Sequence, residues 1–168
     1  MPQGWQITET QHEDLQELAG FYEHVSGGLM LDALDLRPEK IDCLELSQEY
    51  AKLGLTRLRH LFSLRHNGRL KALFLVNQSD VGLNLSDITN CIKVFVTDPQ
   101  EFSTEIYHSA ISKIAKITGK KDFPTLIYPS AFADERDIAY EKIYNLWIVS
   151  LQHTDAYFRY LKRLVRFI

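Results

Sequence analysis

Residues 92–97, Ile-Lys-Val-Phe-Val-Thr, decide the fold, because this run of β-branched and aromatic side chains predicts a buried strand. After an Asp-Pro pair, residues 101–118 carry apolar side chains at helical spacing, and Gly119 is a C-terminal helix signal. A strand-to-helix junction of this kind is where many α/β proteins hold a phosphate on exposed backbone N–H groups. Glycine is absent from residues 92–118, so the sequence lacks the usual glycine-lined cradle.

The region before this strand predicts a β-hairpin. Two apolar runs, residues 61–64 and 70–77, flank the pair Asn67 and Gly68, and both residues of that pair tolerate a positive φ. The polar residues 79–87 follow and are predicted to form a loop before the strand at 92–97.

The N-terminal third predicts a short strand at residues 5–8 and then an amphipathic helix. Thr10 and Glu13 have the spacing of a capping box, in which the threonine oxygen accepts from the third helical N–H and the glutamate reaches back. Apolar side chains at three- and four-residue spacing define the buried stripe of this helix, at Leu15, Leu18, Tyr22 and Val25. The glycine pair 27–28 is expected to end it.

The other segments complete the order of elements. Residues 29–36 are compatible with either a short helix or an extended lid, and residues 38–52 predict a second helix that begins with a proline. After a strand predicted at residues 123–128, a helix is expected at 132–143, a last strand at 146–151 and a last helix at 155–167. The order β-α-α-β-β-β-α-β-α-β-α predicts an α/β (α+β) fold, with a mixed, mostly antiparallel sheet of about six strands and helices on both faces.

Composition limits the classes of function. The 168 residues suit one domain, either complete or cut from a longer chain, and 45% of them are hydrophobic and 24% charged, as in an ordinary soluble protein. With 19 basic against 22 acidic residues the net charge is −3, which does not favour a nucleic-acid binder. No apolar run approaches the ~20 residues of a membrane helix, and the two distant cysteines, Cys43 and Cys91, suit a reducing, cytoplasmic compartment. The six histidines lack metal-ligand spacing, so no metal site is expected.

Residues 139–144, Ala-Tyr-Glu-Lys-Ile-Tyr, resemble the "A-x-Y-x-K-x-G-F" end of the fourth helix in the GCN5-related N-acetyltransferase superfamily. The element order is also similar to that family. The resemblance implies that the fourth strand separates from the fifth and that the pantetheine arm of an acyl-CoA pairs with the exposed strand edge. On this chain that edge corresponds to Val94, Phe95, Val96 and Thr97. The resemblance also implies that Tyr140 protonates the departing thiolate; the alternative is that its ring only packs between helix and sheet.

The chain departs from the family at the turn that binds pyrophosphate, "Q/R-x-x-G-x-G/A", where it has residues 99–105, Pro-Gln-Glu-Phe-Ser-Thr-Glu. The carboxylates of Asp98, Glu101 and Glu105 would repel a pyrophosphate there. Alternatively, Asp98 caps the following helix, and the negative charges of the two glutamates interact favourably with the helix dipole at its N-terminus. The absence of the glycine loop is similar to N-acyl amino acid synthases and acyl-homoserine-lactone synthases, relatives that accept acyl groups from acyl carrier protein. The co-substrate implied is therefore an acyl-CoA or acyl-carrier-protein thioester, with no permanently bound cofactor.

The predicted C-terminal helix has an apolar stripe and a basic face. Its cations are Arg159, Lys162, Arg163 and Arg166. This helix either packs on the domain with its basic face in solvent, or uses that face to bind an acidic partner such as acyl carrier protein.

Three functions remain open from the sequence. The first is a divergent acyltransferase that moves an acyl group from a thioester to an amine, and the second is a catalytically inactive domain that binds a ligand or regulates neighbouring domains. The third is an assembly module that uses the C-terminal helix. Transfer requires an opening between neighbouring strands beside residues 93–97.

Overall fold

The computed structural model describes residues 1–80, 90–119, 124–134, 138–141 and 143. The elements in chain order are β1 (Trp5–Glu9), α1 (His12–Ser26), α2 (Leu29–Ala33), a 3₁₀ turn (Pro38–Lys40), α3 (Glu45–Lys52), β2 (Arg57–His66), β3 (Arg69–Ser79), β4 (Ile92–Val96), α4 (Thr104–Thr118), β5 (Thr125–Tyr128) and α5 (Ala131–Asp134). The described residues fall into two compact units, one of residues 1–10 and 44–141 and one of residues 11–43 and 143. None of the helices described combines the length and the apolar character needed to cross a bilayer.

The first unit is built on a five-stranded sheet in the order β1-β2-β3-β4-β5. The first four strands pair antiparallel, and β5 pairs parallel with β4. This confirms the predicted α/β class and the mixed, mostly antiparallel sheet. The sixth predicted strand, at 146–151, lies outside the described residues.

The β2–β3 hairpin has the predicted turn. His66 pairs with Arg69, and the two turn residues have positive φ, 48° at Asn67 and 80° at Gly68. Further along, Arg65 pairs with Leu70 while Leu64 pairs with Ala72, so Lys71 is an extra residue in β3. Such a bulge bends the strand and re-aims a side chain.

One face of the sheet and α4 form the core of the first unit. Alternate residues of the strands point to this face because side chains in a strand have a period of two. They are Trp5, Ile7, Phe62, Leu64, Ala72, Phe74, Val76, Ile92, Val94 and Val96, and they pack with Ile106, Tyr107, Ala110 and Ile114 of α4. Phe102 and Phe132 stack at 5.0 Å between ring centroids, which joins the chain before α4 to the chain after β5.

Helix α1 begins one residue later than predicted. The amide of Gln11 donates to Asp14 Oδ2 at 2.7 Å, so these two residues form the capping interaction expected of Thr10 and Glu13. Thr10 is instead part of the sheet. Its amide donates to the carbonyl of Leu61, and its Oγ1 accepts from the Ser63 hydroxyl at 2.9 Å. The expectation at Thr10 was wrong because the strand pairing extends beyond β1 and takes its side chain.

In the second unit, α1 ends as predicted at Gly27, which adopts the left-handed conformation at φ 72°. Three of the predicted apolar residues of α1, Leu15, Leu18 and Tyr22, are buried, whereas Val25 is 53% exposed. Residues 29–36, left open by the sequence, contain the short helix α2. Arg37 ties this region together through ion pairs with Glu23 at 2.5 Å and with Asp32 at 2.7 Å.

Two predicted helices are shorter than expected. The helix expected over residues 38–52 is a 3₁₀ turn followed by α3, because the amides of Ile41 and Cys43 donate to carbonyls three residues back. The helix expected over 132–143 is only α5, and residues 138–141 are not helical. The amide of Ile138 donates to the carbonyl of Ala133, five residues back, which is a helix-ending bond rather than a helix-continuing one. The predicted helix at 155–167 lies outside the described residues.

Candidate functional site

The candidate site lies where β4 and β5 end. Because these strands are parallel and α4 connects them, their carboxyl ends and the N-terminus of α4 meet at one edge of the sheet. Ligands of open α/β sheets commonly bind at such an edge. We call this region the carboxyl edge, defined by residues 97–103 after β4 and by residues 129–134 and 138–141 after β5.

The four β4 residues predicted to contact a thioester arm lie at or just before this edge. Val94 pairs with Ile127 and Phe95 with Tyr128, and this is the last pair of the β4–β5 ladder. The side chains of Val94, Phe95 and Val96 are 0 to 2% exposed. The opening expected beside residues 93–97 is therefore wrong for residues 93–95, where the pairing with β5 is continuous, and any separation of the two strands begins beyond Phe95, at Val96.

Thr97 is held toward β3 rather than β5. Its amide donates to the Lys71 carbonyl at 3.0 Å, and its hydroxyl donates to the Leu70 carbonyl at 2.8 Å. These bonds fix the direction of the chain as it leaves β4. They also place Thr97 directly beside the bulge in β3.

The turn from β4 to α4 is organised by Lys71. This lysine is 4% exposed, and its Nζ lies 2.8 Å from Asp98 Oδ2 and 2.8 Å from Glu101 Oε2. Burial lowers the pKa of Lys71, but the hydrogen bonds and charges of the two carboxylates outweigh it and raise the pKa overall. The same contacts lower the pKa of Asp98 and of Glu101, with the Lys71 hydrogen bond as the largest cause for each.

Glu101 connects this ion pair to the end of the hairpin. Its Oε2 also lies 3.0 Å from His66 Nδ1, and that hydrogen bond further lowers the pKa of Glu101. The His66 ring stacks on Trp5, with centroids 4.5 Å apart and planes 4° from parallel. The turn is thus fixed to β1, β2 and β3 at once.

The predicted cap of α4 was wrong. Ser103, not Asp98, precedes the helix, and its Oγ accepts from the Ile106 amide at 3.4 Å. Asp98 Oδ1 accepts from the Glu101 amide, so Asp98 closes the turn instead. Glu105 lies in the first turn of α4, where its negative charge interacts favourably with the helix dipole, as expected. With two carboxylates against one buried ammonium, the turn has no spare positive charge for a phosphate.

Tyr140, the predicted proton donor, lies after α5. Its side chain is 53% exposed and its hydroxyl hydrogen-bonds the Asp134 carboxylate. That hydrogen bond, and then the charge of Asp134, raise the pKa of Tyr140 above its ordinary value. Both residues line an open depression of about 350 Å³, together with Ala133, Ile138 and Ala139. Within the described part of the chain, none of the four predicted β4 residues lines it.

Sequence reasoning missed Lys71. A lysine inside the apolar run 70–76 is the available signal, because a buried ammonium needs a paired acid. The acid could not be located from sequence, since Asp98 is 27 residues away along the chain. Among the described residues, no group of three or more His, Cys, Asp or Glu is placed to hold a metal ion.

Comparisons with known proteins find 11 chains of solved structures that are similar to this one. No family model matches the chain, and no curated protein matches it in sequence. One similar solved structure is a possible acetyltransferase from Clostridium difficile 630, 15% identical with a TM-score of 0.39 over 89% of this chain and 99% of that one. Another is a ribosomal-protein-alanine N-acetyltransferase from Brucella melitensis biovar Abortus 2308, 11% identical with a TM-score of 0.41 over 88% of this chain and 99% of that one. Both TM-scores lie below 0.5, so neither likeness assigns a function to this chain.

Proposed function

We propose that the chain is a divergent acyltransferase, which moves an acyl group from a CoA or acyl-carrier-protein thioester to an amine. The observation that carries this proposal is Tyr140 at the carboxyl edge. Its phenol lines an open depression, and Asp134 raises its pKa, so it is protonated at neutral pH. A protonated phenol beside a space that a ligand can enter can donate a hydrogen bond to the sulfur that leaves the thioester.

The donor thioester would enter where the β4–β5 ladder ends. Val94 and Phe95 pair with β5, so they would contact the pantetheine arm of the donor only at the end of the ladder. Val96 and Thr97 lie beyond the last pair and would lie alongside the arm. The diphosphate of CoA would stay outside the β4–α4 turn, because Asp98 and Glu101 supply negative charge there. A donor held mainly by its acyl and pantetheine parts fits this arrangement better than one held by its phosphates.

In the reaction, the amine nitrogen attacks the thioester carbonyl carbon, the C–S bond breaks, and the sulfur leaves with the electron pair. Tyr140 would exchange Asp134 for this sulfur and donate a hydrogen bond as negative charge develops on it. A thiolate with a pKa near ~8.5 is a weaker base than a tyrosinate of pKa above ~10. The phenol therefore stabilises the leaving sulfur, the amine proton passes to solvent, and the thiolate takes its proton by exchange.

A second function, ligand binding without turnover, is favoured by one specific observation. The β4–β5 ladder continues to the Phe95–Tyr128 pair, so no opening exists beside residues 93–95. In that case Tyr140 would serve as a fixed hydrogen-bonding group of the depression. A docking role for the basic residues predicted at 159–166, with acyl carrier protein as the acidic partner, belongs to the first proposal and concerns a segment outside the described residues.

Thermal unfolding with thioesters separates the two functions. The protein is heated with acetyl-CoA, a long-chain acyl-CoA or an acyl-carrier-protein thioester, and a donor present at 100 times its Kd should add about 2.7 kcal/mol of stability. Amide formation from a panel of amines is then measured for Tyr140→Phe and for the matched control Tyr50→Phe, in α3.

The transferase predicts stabilisation by at least one thioester and an amide product that Tyr140→Phe reduces by about 100-fold, with Tyr50→Phe unchanged. Stabilisation without product in any variant would instead support binding alone. If no thioester stabilises the protein, the acyltransferase proposal is wrong.

A further inference from the structure

The depression beside Tyr140 contains a carboxylate as well as a phenol. The described residues that line it are Ala133, Asp134, Ile138, Ala139 and Tyr140. Of these residues, Asp134 is the one with a charged side chain, and it is exposed, so a ligand in the depression can reach it. The lining combines one negative charge with apolar surface, which is complementary to a cation carried on a short hydrocarbon chain.

The backbone of Asp134 is fixed by its contacts with the rest of the first unit. Asp134 ends α5, and its amide donates to the Ser130 carbonyl at 3.3 Å. In the same short helix, Phe132 is 0% exposed and anchors α5 in the core. The Ile138 amide donates to the Ala133 carbonyl at 3.1 Å, which holds the following segment against α5. A carboxylate on a fixed backbone loses little conformational freedom when it binds a ligand.

The Asp134 carboxylate has acceptor positions beyond the one that Tyr140 uses. The Tyr140 hydroxyl donates a hydrogen bond to it, whereas an ionised carboxylate offers about four lone-pair positions. An ammonium can therefore bind Asp134 while the phenol remains in place. When Tyr140 turns to the leaving sulfur, the position that the phenol occupied becomes available as well.

We propose that the acceptor of the acyl group is a diamine, and that Asp134 binds its second nitrogen as an ammonium. This inference rests on the acyltransferase function proposed above. The nitrogen that attacks the thioester must be neutral, because an ammonium has no lone pair. The cation at Asp134 is therefore the other nitrogen of the acceptor, and a charge-assisted hydrogen bond to the carboxylate provides affinity that a monoamine lacks once its nitrogen is at the thioester.

The geometry limits the distance between the two nitrogens. One hydrogen bond joins Asp134 to Tyr140, another would join Tyr140 to the sulfur, and the C–S bond leads to the carbon that is attacked. With hydrogen bonds of about 3 Å each, the carboxylate lies at most roughly 8 Å from that carbon. A short alkyl chain spans this distance, and the apolar side chain of Ile138 in the lining is suited to contact it.

Binding without a donor tests the cation site by itself. Putrescine, whose two amino groups end a butane chain, is compared with the butanediol that carries terminal hydroxyls instead. The backbone amide signals of Ala139 and Tyr140 are followed by NMR in the uniformly labelled full chain during each titration. We expect putrescine to bind at least about tenfold more tightly than the diol.

Two variants locate this preference. Asp134→Asn keeps an oxygen that accepts from the Tyr140 hydroxyl but removes the charge, so putrescine and the diol should bind alike. Asp42→Asn removes an exposed carboxylate from the second unit and is the matched control, with the wild-type preference expected. Equal binding of the two compounds by the wild type, no binding of putrescine, or an unchanged preference in Asp134→Asn would overturn the proposal.

Turnover then tests the role of the diamine as acceptor. With a thioester that the protein binds, kcat/KM should be at least about tenfold higher for putrescine than for butylamine, which has the same chain and one nitrogen. Asp134→Asn should remove this ratio through a higher KM for putrescine, and Asp42→Asn should keep it. Equal kcat/KM for the two amines would overturn the proposal. Putrescine binding that depends on Asp134, without an amide product from any amine, would contradict acyl transfer and leave the cation site supported.

Discussion

At the scale of single residues, Lys71 sets the charge of the turn between β4 and α4. It is an extra residue in a bulge of β3, and its buried ammonium pairs with Asp98 and Glu101. The two carboxylates that the sequence marks as unfavourable for a phosphate thus have an internal partner. The turn is a fixed structural element, and its chemistry differs from a phosphate-binding loop of the usual kind.

This ion pair predicts a loss of stability in acid. The pKa values of Asp98 and Glu101 are lower in the folded protein than in the unfolded chain, where they are about 3.9 and 4.3. The stabilisation they contribute is complete above about pH 5 and is lost as the pH falls below about 4, through the folded values. Urea unfolding measured at about pH 7 and about pH 3.5 reports the difference.

Lys71→Met removes the largest cause of the low pKa values of Asp98 and Glu101, so the difference between the two urea midpoints should be smaller than in the wild type. Lys116→Met removes a cation from the exposed side of α4 and is the control, with the wild-type difference expected. An equal difference in Lys71→Met and the wild type would show that other carboxylates cause the acid sensitivity.

At the scale of elements, the sequence predicted correctly those features that depend only on neighbouring residues, such as the hairpin turn. Asn67 and Gly68 gave the hairpin because both adopt the positive φ that the turn requires. The predicted cap of α1 was wrong because Thr10 is hydrogen-bonded to β2, and residues 10–13 alone do not indicate that pairing. The helix expected over 132–143 failed for a similar reason, since the amide of Ile138 bonds to Ala133 and the chain leaves the helix. Tyr140 therefore reaches its depression from a non-helical segment.

The start of α4 gives a prediction at this scale. Ser103→Ala removes the oxygen that accepts from the Ile106 amide, and loss of such a cap costs about 1 kcal/mol. Ser112→Ala is the matched control, because Ser112 is exposed within the same helix and alanine is the better helix former. Chemical denaturation should show Ser103→Ala less stable and Ser112→Ala unchanged or slightly more stable. Equal stabilities would mean that Asp98 and Lys71 hold the helix start without the serine.

At the scale of the molecule, the order of the elements predicted the mixed sheet but not the length of its ladders. The extent of the β4–β5 ladder depends on how residues more than 30 positions apart align, from Ile92 with Thr125 to Phe95 with Tyr128. No periodicity in either segment fixes that register. Consequently the sequence could place Val94 through Thr97 on one strand, whereas only the structure separates the paired residues from those beyond the ladder.

The acyltransferase proposal requires that a thioester be held at the carboxyl edge without its phosphates entering the β4–α4 turn. Titration calorimetry with acetyl-CoA and with S-acetylpantetheine, which lacks the diphosphate and the nucleotide, is the decisive test. We expect both to bind with Kd values within about threefold of each other, because no charge-assisted phosphate contact is lost. Binding of acetyl-CoA that is tighter by about 100-fold or more, equivalent to about 2.7 kcal/mol, would contradict the proposal.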